Sequence, residues 1–521
     1  MKKIITYLLV TLMLFSLCSC GKKAENNDDA PEKTPFVIKS GGSIEAYMLK
    51  PDTLNPLITG IDVNRCALKP IYNSLFRIDG NLKAVPELAY GYEFSDNASV
   101  LKITLCGGVS WHDGSKFDSS DVVYTVKNIL SLEEIYCHNV ISELVSGISA
   151  PDENTVVFKF FKPSSGAAAL LTFPILKYER GNMADHASKY MPVGTGGFKV
   201  KDYDSKSALV LEKNTDSKIT KPYADEVILN ILPDIEAAYT AFSAGITDFI
   251  KINHETAGKV SLNENSAYTP SYTNKYTFLG LNTENRLLGK AEVRRLIASA
   301  ILQTKAVESL FGNYISVCDV PFNPNSFCYL PVENPETFED NAEAAGLLRT
   351  DSGNAYITDD DEKLFLDFTI LVNEENNTRL LVADSISKSL EDLGIGARVI
   401  KVDFETYVSA LKERDFDMFI GSTVLSGDTD LSSLIGSDGT LNYGGYSSEK
   451  TDSLLQSAAK ESDVKSDFPA KLQTDFRSSC PHIPLYFENE TIIYNSKKLG
   501  NVTPVFSENC FAFLNTCCVN R

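Results

Sequence analysis

The residues that could carry chemistry are few and scattered along this chain. The five histidines are His112, His138, His186, His254 and His482, and none lies at the helical spacing that pairs two metal ligands. The sequence contains no GxSxG elbow, no HExxH helix, no P-loop and no dinucleotide-binding glycine motif after a strand. This pattern predicts a protein that is not an enzyme and that needs no metal ion or cofactor.

The most informative segment combines a strand, a tight corner and a helix. Leu101–Leu105 has the composition of a strand, and Trp111–Gly114 makes a corner that needs its glycine. Ser119 or Ser120 is expected to cap the helix that follows, with Asp121 in the first turn, where the helix dipole favours an anion. The tryptophan of the corner is expected to pack in the core.

Further short motifs, which likewise mostly describe packing and turns, follow one another along the chain. They are Leu54–Leu57, Ile71–Phe76, Val85–Ala89, Pro192–Phe198, Leu211–Asn214, Lys221–Val227, Ala241–Asp248, Leu279–Thr283 and Val293–Ile301. Together with the tryptophan corner, they resemble the extracellular solute-binding proteins of ABC transporters, in the peptide and nickel group called family 5. The resemblance covers roughly residues 37 to 500, and its departures (Gly197 for a proline and Leu302 for an aspartate) leave the fold unchanged.

The resemblance implies an α/β fold of the periplasmic-binding-protein-like class II, with two lobes around a ligand cleft and an extra inserted subdomain. A chain of 521 residues is also too long for a single core. Lobe I is expected to be discontinuous, over 37–75, 190–270 and 485–521. The inserted subdomain is expected at 76–189 and lobe II at 271–484, and the lobes are expected to close on the ligand by a hinge motion.

The second lobe shows alternating strand and helix patterns. Strands are predicted at Leu364–Val372, Ala397–Val402 and Phe416–Ile420, and helices at Asn377–Leu393 and Phe404–Glu413. Alternation of this kind predicts a mixed, largely parallel sheet with helices covering it. Ligands of such sheets bind at the carboxyl ends of the strands, in crevices between lobes.

The resemblance also implies where the ligand binds. Receptors of this family hold a peptide as an added β-strand, so that main-chain hydrogen bonds supply affinity. The corresponding stretch here is Ser422, Thr423, Val424, Leu425 and Ser426. Ser426 stands where the family places the aspartate that pairs with the peptide ammonium. Asp428 or Asp430 could replace it, or both could cap the helical turn that follows.

Two other ligand contacts are implied by the same resemblance. Leu49 and Lys50 precede the Leu54–Leu57 motif, where the first lobe of the family contacts the ligand backbone. Tyr486 falls where the family often lines the cleft with an aromatic ring, although either site could belong to the core. The implied solute is a short peptide or a peptide-like molecule. The alternatives are a nickel or metal-chelate receptor of the same family, and a non-transport cell-surface protein or enzyme.

The ends and the charge indicate an exported, anchored protein. Residues 1–19 have the charged and apolar regions of a lipoprotein signal peptide, with Cys20 as the lipidated residue and 20–36 as a flexible tether. We expect the chain to be lipid-anchored on the extracellular face of the cell membrane (the periplasmic side if the source has an outer membrane), with an ABC permease and its ATPase as partners. The net charge of −20 disfavours nucleic acid.

Two cysteines bracket a loop that contains prolines. Cys318 and Cys328 stand on either side of it, and a disulfide between them is possible only if their Cα atoms approach closely. The spacing alone leaves their state open.

Overall fold

The fold consists of short strands and helices on either side of two long strands. The computed structural model describes residues 40–179, 190–461 and 467–520. The strands are β1 (Ser43–Leu49), β2 (Phe76–Ile78), β3 (Ala84–Pro86), β4 (Ala89–Ser95), β5 (Val100–Leu105), β6 (Val145–Asp152), β7 (Thr155–Phe160), β8 (Phe198–Asp204), β9 (Ala208–Lys213), β10 (Glu226–Leu232), β11 (Phe249–Ile252), β12 (Ser266–Leu281), β13 (Ile315–Val317), β14 (Leu348–Arg349), β15 (Ala355–Asp359), β16 (Glu362–Phe365), β17 (Asp367–Asn373), β18 (Gly396–Val402), β19 (Met418–Val424), β20 (Ile483–Asn495), β21 (Leu499–Gly500), β22 (Val505–Phe506) and β23 (Cys518–Val519). The α-helices are α1 (Asp62–Leu68), α2 (Ser119–Ser131), α3 (His138–Leu144), α4 (Ile235–Ser243), α5 (Ala291–Gln303), α6 (Glu308–Phe311), α7 (Phe338–Ala345), α8 (Asn377–Asp392), α9 (Phe404–Glu413), α10 (Ser432–Ile435), α11 (Glu449–Lys460) and α12 (Phe468–Ser479).

The two long strands, β12 and β20, connect two separately packed regions. They pair with each other in antiparallel fashion, and the register of the pairing shifts between Tyr272 and Tyr276. Before the shift β20 also pairs with β11, and after it β12 also pairs with β19. A register shift bends and twists a strand locally, so we expect the hinge between the regions at this point.

The first region contains one buried apolar cluster, and we call it the first lobe. Its sheets have the strand orders β1-β10-β9-β8 and β4-β5-β7-β6. Ile492 and Ile493, from the far half of β20, pack into the same cluster, so the chain returns to the first lobe near its end. The boundaries predicted for an inserted subdomain stay a prediction, since the β4-β5-β7-β6 sheet packs into this shared core.

The second region, the second lobe, contains two buried clusters, one on each side of the β19-β17-β18 strands. Helices α9 and α8 occupy Phe404–Glu413 and Asn377–Asp392, as the periodicity predicted. The predicted strand at Leu364–Val372 is wrong in extent, because β16 ends at Phe365 in a small separate sheet and β17 begins at Asp367. The sheet is mixed, as expected.

The expectation of a largely parallel sheet is also wrong. The pairs of β17 with β18 and β19 are parallel, as is the two-residue pair of β22 with β12, whereas β12 pairs in antiparallel fashion with both β19 and β20. The reason lies in the two long strands. They run in opposite directions between the lobes, and the centre of the sheet is built on them.

The tryptophan corner has the predicted elements and a different helix cap. Asp118 is the N-cap of α2 and accepts a hydrogen bond from the Ser120 N–H at 2.9 Å, so the prediction of Ser119 or Ser120 is wrong. Asp121 completes a capping box by accepting from the Asp118 N–H at 3.0 Å. The Trp111 side chain is buried, as predicted, and its Nε1–H donates to Asp121 at 3.2 Å.

Two further expectations concern the membrane and the cysteines. Within residues 40–179, 190–461 and 467–520, no helix combines the length and the apolar character needed to cross a bilayer. Cys318 and Cys328 are free, buried thiols, and Cys328 Sγ contacts Ser326 Oγ at 2.9 Å instead. Cys20 and the tether lie outside the described residues.

Candidate functional site

A cavity of about 620 Å³ lies at the hinge between the two lobes. Thr273, Asn274 and Lys275 line it from the shifted register of β12, and Phe487 and Glu490 line it from β20. The remaining lining comes from both lobes. A volume of this size fits a small solute, and a ligand placed there would contact both lobes at once.

The wall contributed by the first lobe is charged. Arg65 and Lys69 reach the cavity from α1 and the turn that follows it, and Lys251 reaches it from β11. The acidic groups of this wall are Asp62, Glu490 and Glu508. We call this set the charged wall.

Lys251 and Glu490 form the best-buried ion pair of the charged wall. Lys251 Nζ lies 2.7 Å from Glu490 Oε2, and their side chains are 23% and 14% exposed. Lys251 Nζ also donates to Ser507 Oγ at 3.3 Å, and that hydroxyl donates to Glu490. Burial by itself would lower the pKa of Lys251, but the neighbouring anionic groups outweigh it and raise the pKa, so the lysine stays charged.

Arg65 and Lys69 differ in how firmly they are held. The Arg65 guanidinium pairs with Asp62, donates to Thr59 O at 3.1 Å and lies 4.7 Å from the centre of the Tyr136 ring. Lys69 is half-buried, and within the described part of the chain its ammonium has neither an ion pair nor a hydrogen bond. Lys69 is therefore the cation of this wall that is most available to a ligand anion.

The wall contributed by the second lobe presents main-chain groups, and we call it the strand wall. The Leu425 N–H donates to Asn274 O at 2.9 Å, which fixes the alternation of hydrogen bonds between β19 and β12. The N–H and C=O groups of Ser422 and Val424 then face away from β12. On that side β17 pairs only as far as Phe419 of β19.

The unpaired stretch of β19 is therefore a short free strand edge. The first carbonyl of this stretch, that of Ile420, accepts a hydrogen bond from the Tyr407 hydroxyl at 2.7 Å. Beyond it, the main-chain groups of Ser422 and Val424 have no hydrogen-bond partner among the described residues. Val424 is 62% exposed although it is apolar, and it lines the cavity. An edge of this kind can accept an added strand.

Apolar side chains complete the strand wall. Phe322, Leu425, Leu431 and Phe487 line the cavity on this side, and all four belong to, or pack against, one buried cluster of the second lobe. Because their positions are fixed by packing, this wall is a rigid apolar surface beside the free strand edge.

The structure brings only some of the predicted ligand residues to the cavity. Val424, Leu425 and Ser426 line it, whereas Ser422 and Thr423 lie just before the lining on the same strand. Ser422 is exposed, and its hydroxyl is 3.0 Å from Thr277 Oγ1. The role of each as a ligand contact stays a prediction.

Asp428 lies beside the cavity, against the other lobe. A Cβ built on Gly166 would be 2.4 Å from the Asp428 carbonyl oxygen and 2.7 Å from its Cβ, so the two backbones are in close contact. Its carboxylate accepts from the Asp430 N–H at 3.2 Å, and burial raises its pKa. Asp430 faces Lys162 of the first lobe at 3.8 Å.

Leu49, Lys50 and Tyr486 lie outside the cavity lining. The main-chain N–H and C=O of Leu49 bond the Asn64 side chain at 2.8 and 3.0 Å, and the Lys50 N–H bonds Leu232 O at 2.8 Å. Tyr486 is buried in the second lobe, and burial raises its pKa to about 12. As ligand contacts, these three residues also stay predictions.

The sequence contained signals for the cavity residues that the prediction missed. Lys251 interrupts the apolar strand β11, and Glu490 interrupts β20, which is typical of a charge that is paired inside a fold. Arg65 and Lys69 are four residues apart, the spacing that places two side chains on one side of a helical turn. Phe487 follows Tyr486 and therefore points to the opposite face of the sheet.

The histidines have structural surroundings. Across residues 40–179, 190–461 and 467–520, no three histidine, cysteine, aspartate or glutamate side chains are grouped so as to hold a metal ion. His112 Nε2 contacts Gly196 O at 3.2 Å, and burial lowers the pKa of His112 to about 4. His482 Nε2 contacts Tyr276 Oη at 2.9 Å. His186 lies outside the described residues.

Direct hydrogen bonds join the two lobes at the rim of the cavity. Ser165 of the first lobe donates from its N–H to Ala459 O at 2.9 Å and from its hydroxyl to Ala458 O at 2.8 Å. Both acceptors lie in the last turn of α11, and Ala458 O also accepts from the Glu461 N–H at 3.3 Å. At another point of the rim, the Phe327 N–H donates to Asn81 O at 2.9 Å.

Comparison with known proteins identifies what this arrangement resembles. The family model described as "Bacterial extracellular solute-binding proteins, family 5 Middle" matches residues 83–444. The oligopeptide-binding protein AppA of Bacillus subtilis (strain 168) is 24% identical over 514 residues, which cover 93% of this chain and 93% of AppA. The glutathione-binding protein GsiB of Salmonella paratyphi A is 23% identical over 468 residues, covering 86% of this chain and 89% of GsiB.

A solved structure supports the fold. The nickel ABC transporter from Bacillus halodurans has a TM-score of 0.74 and 21% sequence identity, covering 90% of this chain and 98% of its own. The similarity confirms the predicted two-lobed α/β fold.

Proposed function

Since this chain belongs to the bacterial extracellular solute-binding proteins of family 5, we propose that it is the receptor of an ABC importer. Its solute is a short peptide or a peptide-like molecule, which it holds between the lobes and delivers to the permease. Relatives named for binding oligopeptides and glutathione support this solute class. The absence of a catalytic motif in the sequence agrees with a binding role.

One observation carries the proposal: the free edge of β19 opens into the hinge cavity. A peptide laid along Ser422–Ser426 would bond the main-chain groups of Ser422 and Val424 as an added strand, without any reading of its side chains. The same peptide would bring its charged ends near the charged wall. Main-chain recognition on one side and charge recognition on the other suit a peptide better than an apolar solute.

Calorimetry with matched peptides tests the proposal. We expect a tripeptide with free ends to bind, and the same tripeptide with every backbone nitrogen methylated to bind at least tenfold more weakly, since each methyl removes a main-chain donor. Native mass spectrometry of solute co-purified from the source cell would identify the natural ligand. Equal binding of both tripeptides would contradict strand addition.

The ammonium group of a bound peptide needs an acidic counter-ion, and two carboxylates are candidates for this role. Asp428 is the acid proposed from the sequence, and Glu508 is the acid that lines the cavity without an ion pair among the described residues. If Asp428 is the counter-ion, Asp428→Asn should weaken binding of free-amino peptides by about 1–3 kcal/mol and spare N-acetylated ones. Glu508→Gln is the matched variant, and whichever of the two carboxylates pairs with the ammonium will show the selective loss.

We also propose that Cys20 carries the lipid anchor. Two acyl chains would hold the protein on the membrane, and loss of the acceptor thiol should release it or stall its processing. Fractionation of cells that express Cys20→Ala measures this. A variant that stays fully bound to the membrane and is processed normally would contradict the anchor, and Cys18→Ala is the control that should behave as wild type.

A further inference from the structure

The free edge of β19 runs toward a point where the backbone of the first lobe closes the cavity. A Cβ added to Gly427 would lie 3.4 Å from the Ala169 carbonyl oxygen, and one added to Gly166 would lie 2.4 Å from the Asp428 carbonyl oxygen. Both Ala169 and Gly427 line the cavity. An added strand needs about 4.8 Å between neighbouring main chains. The contact therefore leaves no room for a peptide main chain to continue beyond Ser426.

Polar contacts between the lobes hold this end of the cavity closed. We call residues 162–170 of the first lobe the rim segment. The Ser165 hydroxyl and N–H donate to two carbonyls in the last turn of α11, at 2.8 and 2.9 Å. Lys162 Nζ lies 3.8 Å from Asp430 Oδ2, although both side chains are largely exposed, so this ion pair adds little. The two hydrogen bonds of Ser165 are the firmest of these contacts.

The free edge is also limited at its other end. The Ile420 carbonyl already accepts from the Tyr407 hydroxyl at 2.7 Å, and β17 pairs with β19 as far as Phe419. The stretch open to a ligand is therefore Ser422–Ser426, which spans about 16 Å at the rise of an extended strand.

The size of the cavity agrees with a short ligand. An extended residue takes up about 160 Å³, from the rise of a strand, the spacing between strands and the spacing between packed sheets. The cavity of about 620 Å³ therefore holds about four extended residues. A longer chain that runs along the edge of β19 has to displace the rim segment.

We propose that Ser165 selects peptides by length, because its two hydrogen bonds to α11 form over a short peptide and not over one that extends past Ser426. One terminus of the bound peptide then lies against the rim segment. The inference rests on the peptide-binding function proposed above and adds to it an upper limit on length at that terminus.

The selection follows from where the contact forms. A complex gains the hydrogen bonds of Ser165 only if the two lobes meet at the rim segment. A peptide that ends within Ser422–Ser426 permits this, whereas a longer one keeps the rim segment and the last turn of α11 apart and solvated. The contact therefore stabilises complexes with short peptides only, and this difference in free energy discriminates between the two lengths.

Calorimetry on the purified full-length protein tests the limit on length. The probes are the tetrapeptide Ala-Ser-Ala-Ser and two octapeptides that add Gly-Ser-Gly-Ser to its amino or its carboxyl terminus. We expect the tetrapeptide to bind, and the octapeptide extended at the terminus that meets the rim segment to bind roughly tenfold more weakly. Two octapeptides that both bind as tightly as the tetrapeptide would overturn the inference and leave peptide binding intact. Failure of all three probes to bind would overturn the proposed function as well.

Variants of Ser165 test its role directly. Ser165→Ala removes the hydroxyl bond, so the tetrapeptide should bind roughly fivefold more weakly while the weaker octapeptide is unaffected. Ser165→Thr keeps a hydroxyl and should retain most of the preference for the short peptide. Ser142→Ala is the matched control, since the Ser142 hydroxyl donates to Asn139 O at 3.1 Å within the first lobe. Equal losses for both peptides in Ser165→Ala would indicate a purely structural serine and overturn its role in selection.

Discussion

The two walls of the hinge cavity differ in what they offer a solute. The charged wall of the first lobe presents side-chain charges, among them Lys69 and the Lys251–Glu490 pair. The strand wall of the second lobe presents the free edge of β19 and a fixed apolar surface around Phe322 and Phe487. Charges act on the ends and polar groups of a ligand, whereas a strand edge acts on any extended main chain.

Because of this difference, the two walls would contribute differently to the affinity and the selectivity of solute binding. Main-chain hydrogen bonds on the strand wall would be common to all peptides, so they supply binding that tolerates sequence. Charge recognition on the other wall would discriminate solutes by their termini and their net charge. Because the two walls belong to different lobes, a solute gains both contributions only when the lobes are close together.

The largest effect should come from the buried pair of the charged wall. Lys251→Met leaves Glu490 without its partner in a mostly buried site, so the free energy of unfolding should fall by about 3 kcal/mol. Urea denaturation measures the change. The double variant with Glu490→Leu should recover most of the loss, since no charge is then left unpaired. A single variant as stable as the wild type would mean that the pair is solvated.

The next largest effect should come from the strand wall, where one proline substitution should weaken peptide binding and its neighbour should destabilise the fold. Val424→Pro removes an N–H that faces away from β12, so peptide affinity should fall roughly tenfold, or about 1.4 kcal/mol, with little change in stability. Thr423→Pro is the matched control, because its N–H faces β12 and its loss should destabilise the fold. Calorimetry and thermal unfolding of both variants test the alternation. Unchanged affinity in Val424→Pro would show that the ligand does not use this edge.

A smaller effect on peptide affinity should distinguish Lys69, which lines the cavity, from Lys50, the ligand contact that the family resemblance implied. Lys69→Gln should weaken peptides with a free carboxylate roughly fivefold, about 1 kcal/mol, and affect amidated peptides less, because a charged hydrogen bond is lost. Lys50→Gln should change neither, since Lys50 lies outside the cavity lining. Titration calorimetry with free and amidated peptides compares the two variants. A larger loss in Lys50→Gln would restore the sequence-based assignment.

The smallest effect should come from the rim where the walls meet. Gly166→Ala places a methyl group against the Asp428 backbone, so the lobes should not approach fully at this point. Small-angle scattering with saturating ligand should show less compaction than in the wild type, with a loss of affinity of only a few-fold. Gly147→Ala, where a Cβ has open space, is the control. Full compaction in Gly166→Ala would argue against closure at this rim.

Local elements were predictable wherever one short segment contains its own signal. The apolar spacing of Phe404–Glu413 predicted α9 to the residue, and the tryptophan corner predicted β5 and α2. The cap of α2 was misassigned because Asp118, Ser119 and Ser120 all have suitable oxygens. Only the backbone geometry at the start of the helix selects Asp118, whose extended conformation lets its carboxylate reach the Ser120 N–H.

The site was predictable only in part, for a reason that concerns distance along the chain. The family resemblance implied that the ligand binds along Ser422–Ser426, and Val424, Leu425 and Ser426 of this stretch line the cavity. Tyr486 stays a prediction as a ligand contact; alternation along β20 directs its side chain into the core, whereas the neighbouring Phe487 lines the cavity. One residue of register reverses the face, and local sequence does not specify which face is outward when both residues are aromatic.

The sequence by itself determined the family, the alternation of strands and helices, and the stretch of β19 that reaches the cavity. These features depend on contacts within about 20 residues, or on motifs whose order along the chain is sufficient. Only the tertiary structure decided which charges share the cavity. Lys251, Glu490 and Ser507 are brought together by β11, β20 and the C-terminal segment. Such pairs depend on how segments that are distant in the sequence pack together, and no spacing between residues in the sequence predicts them.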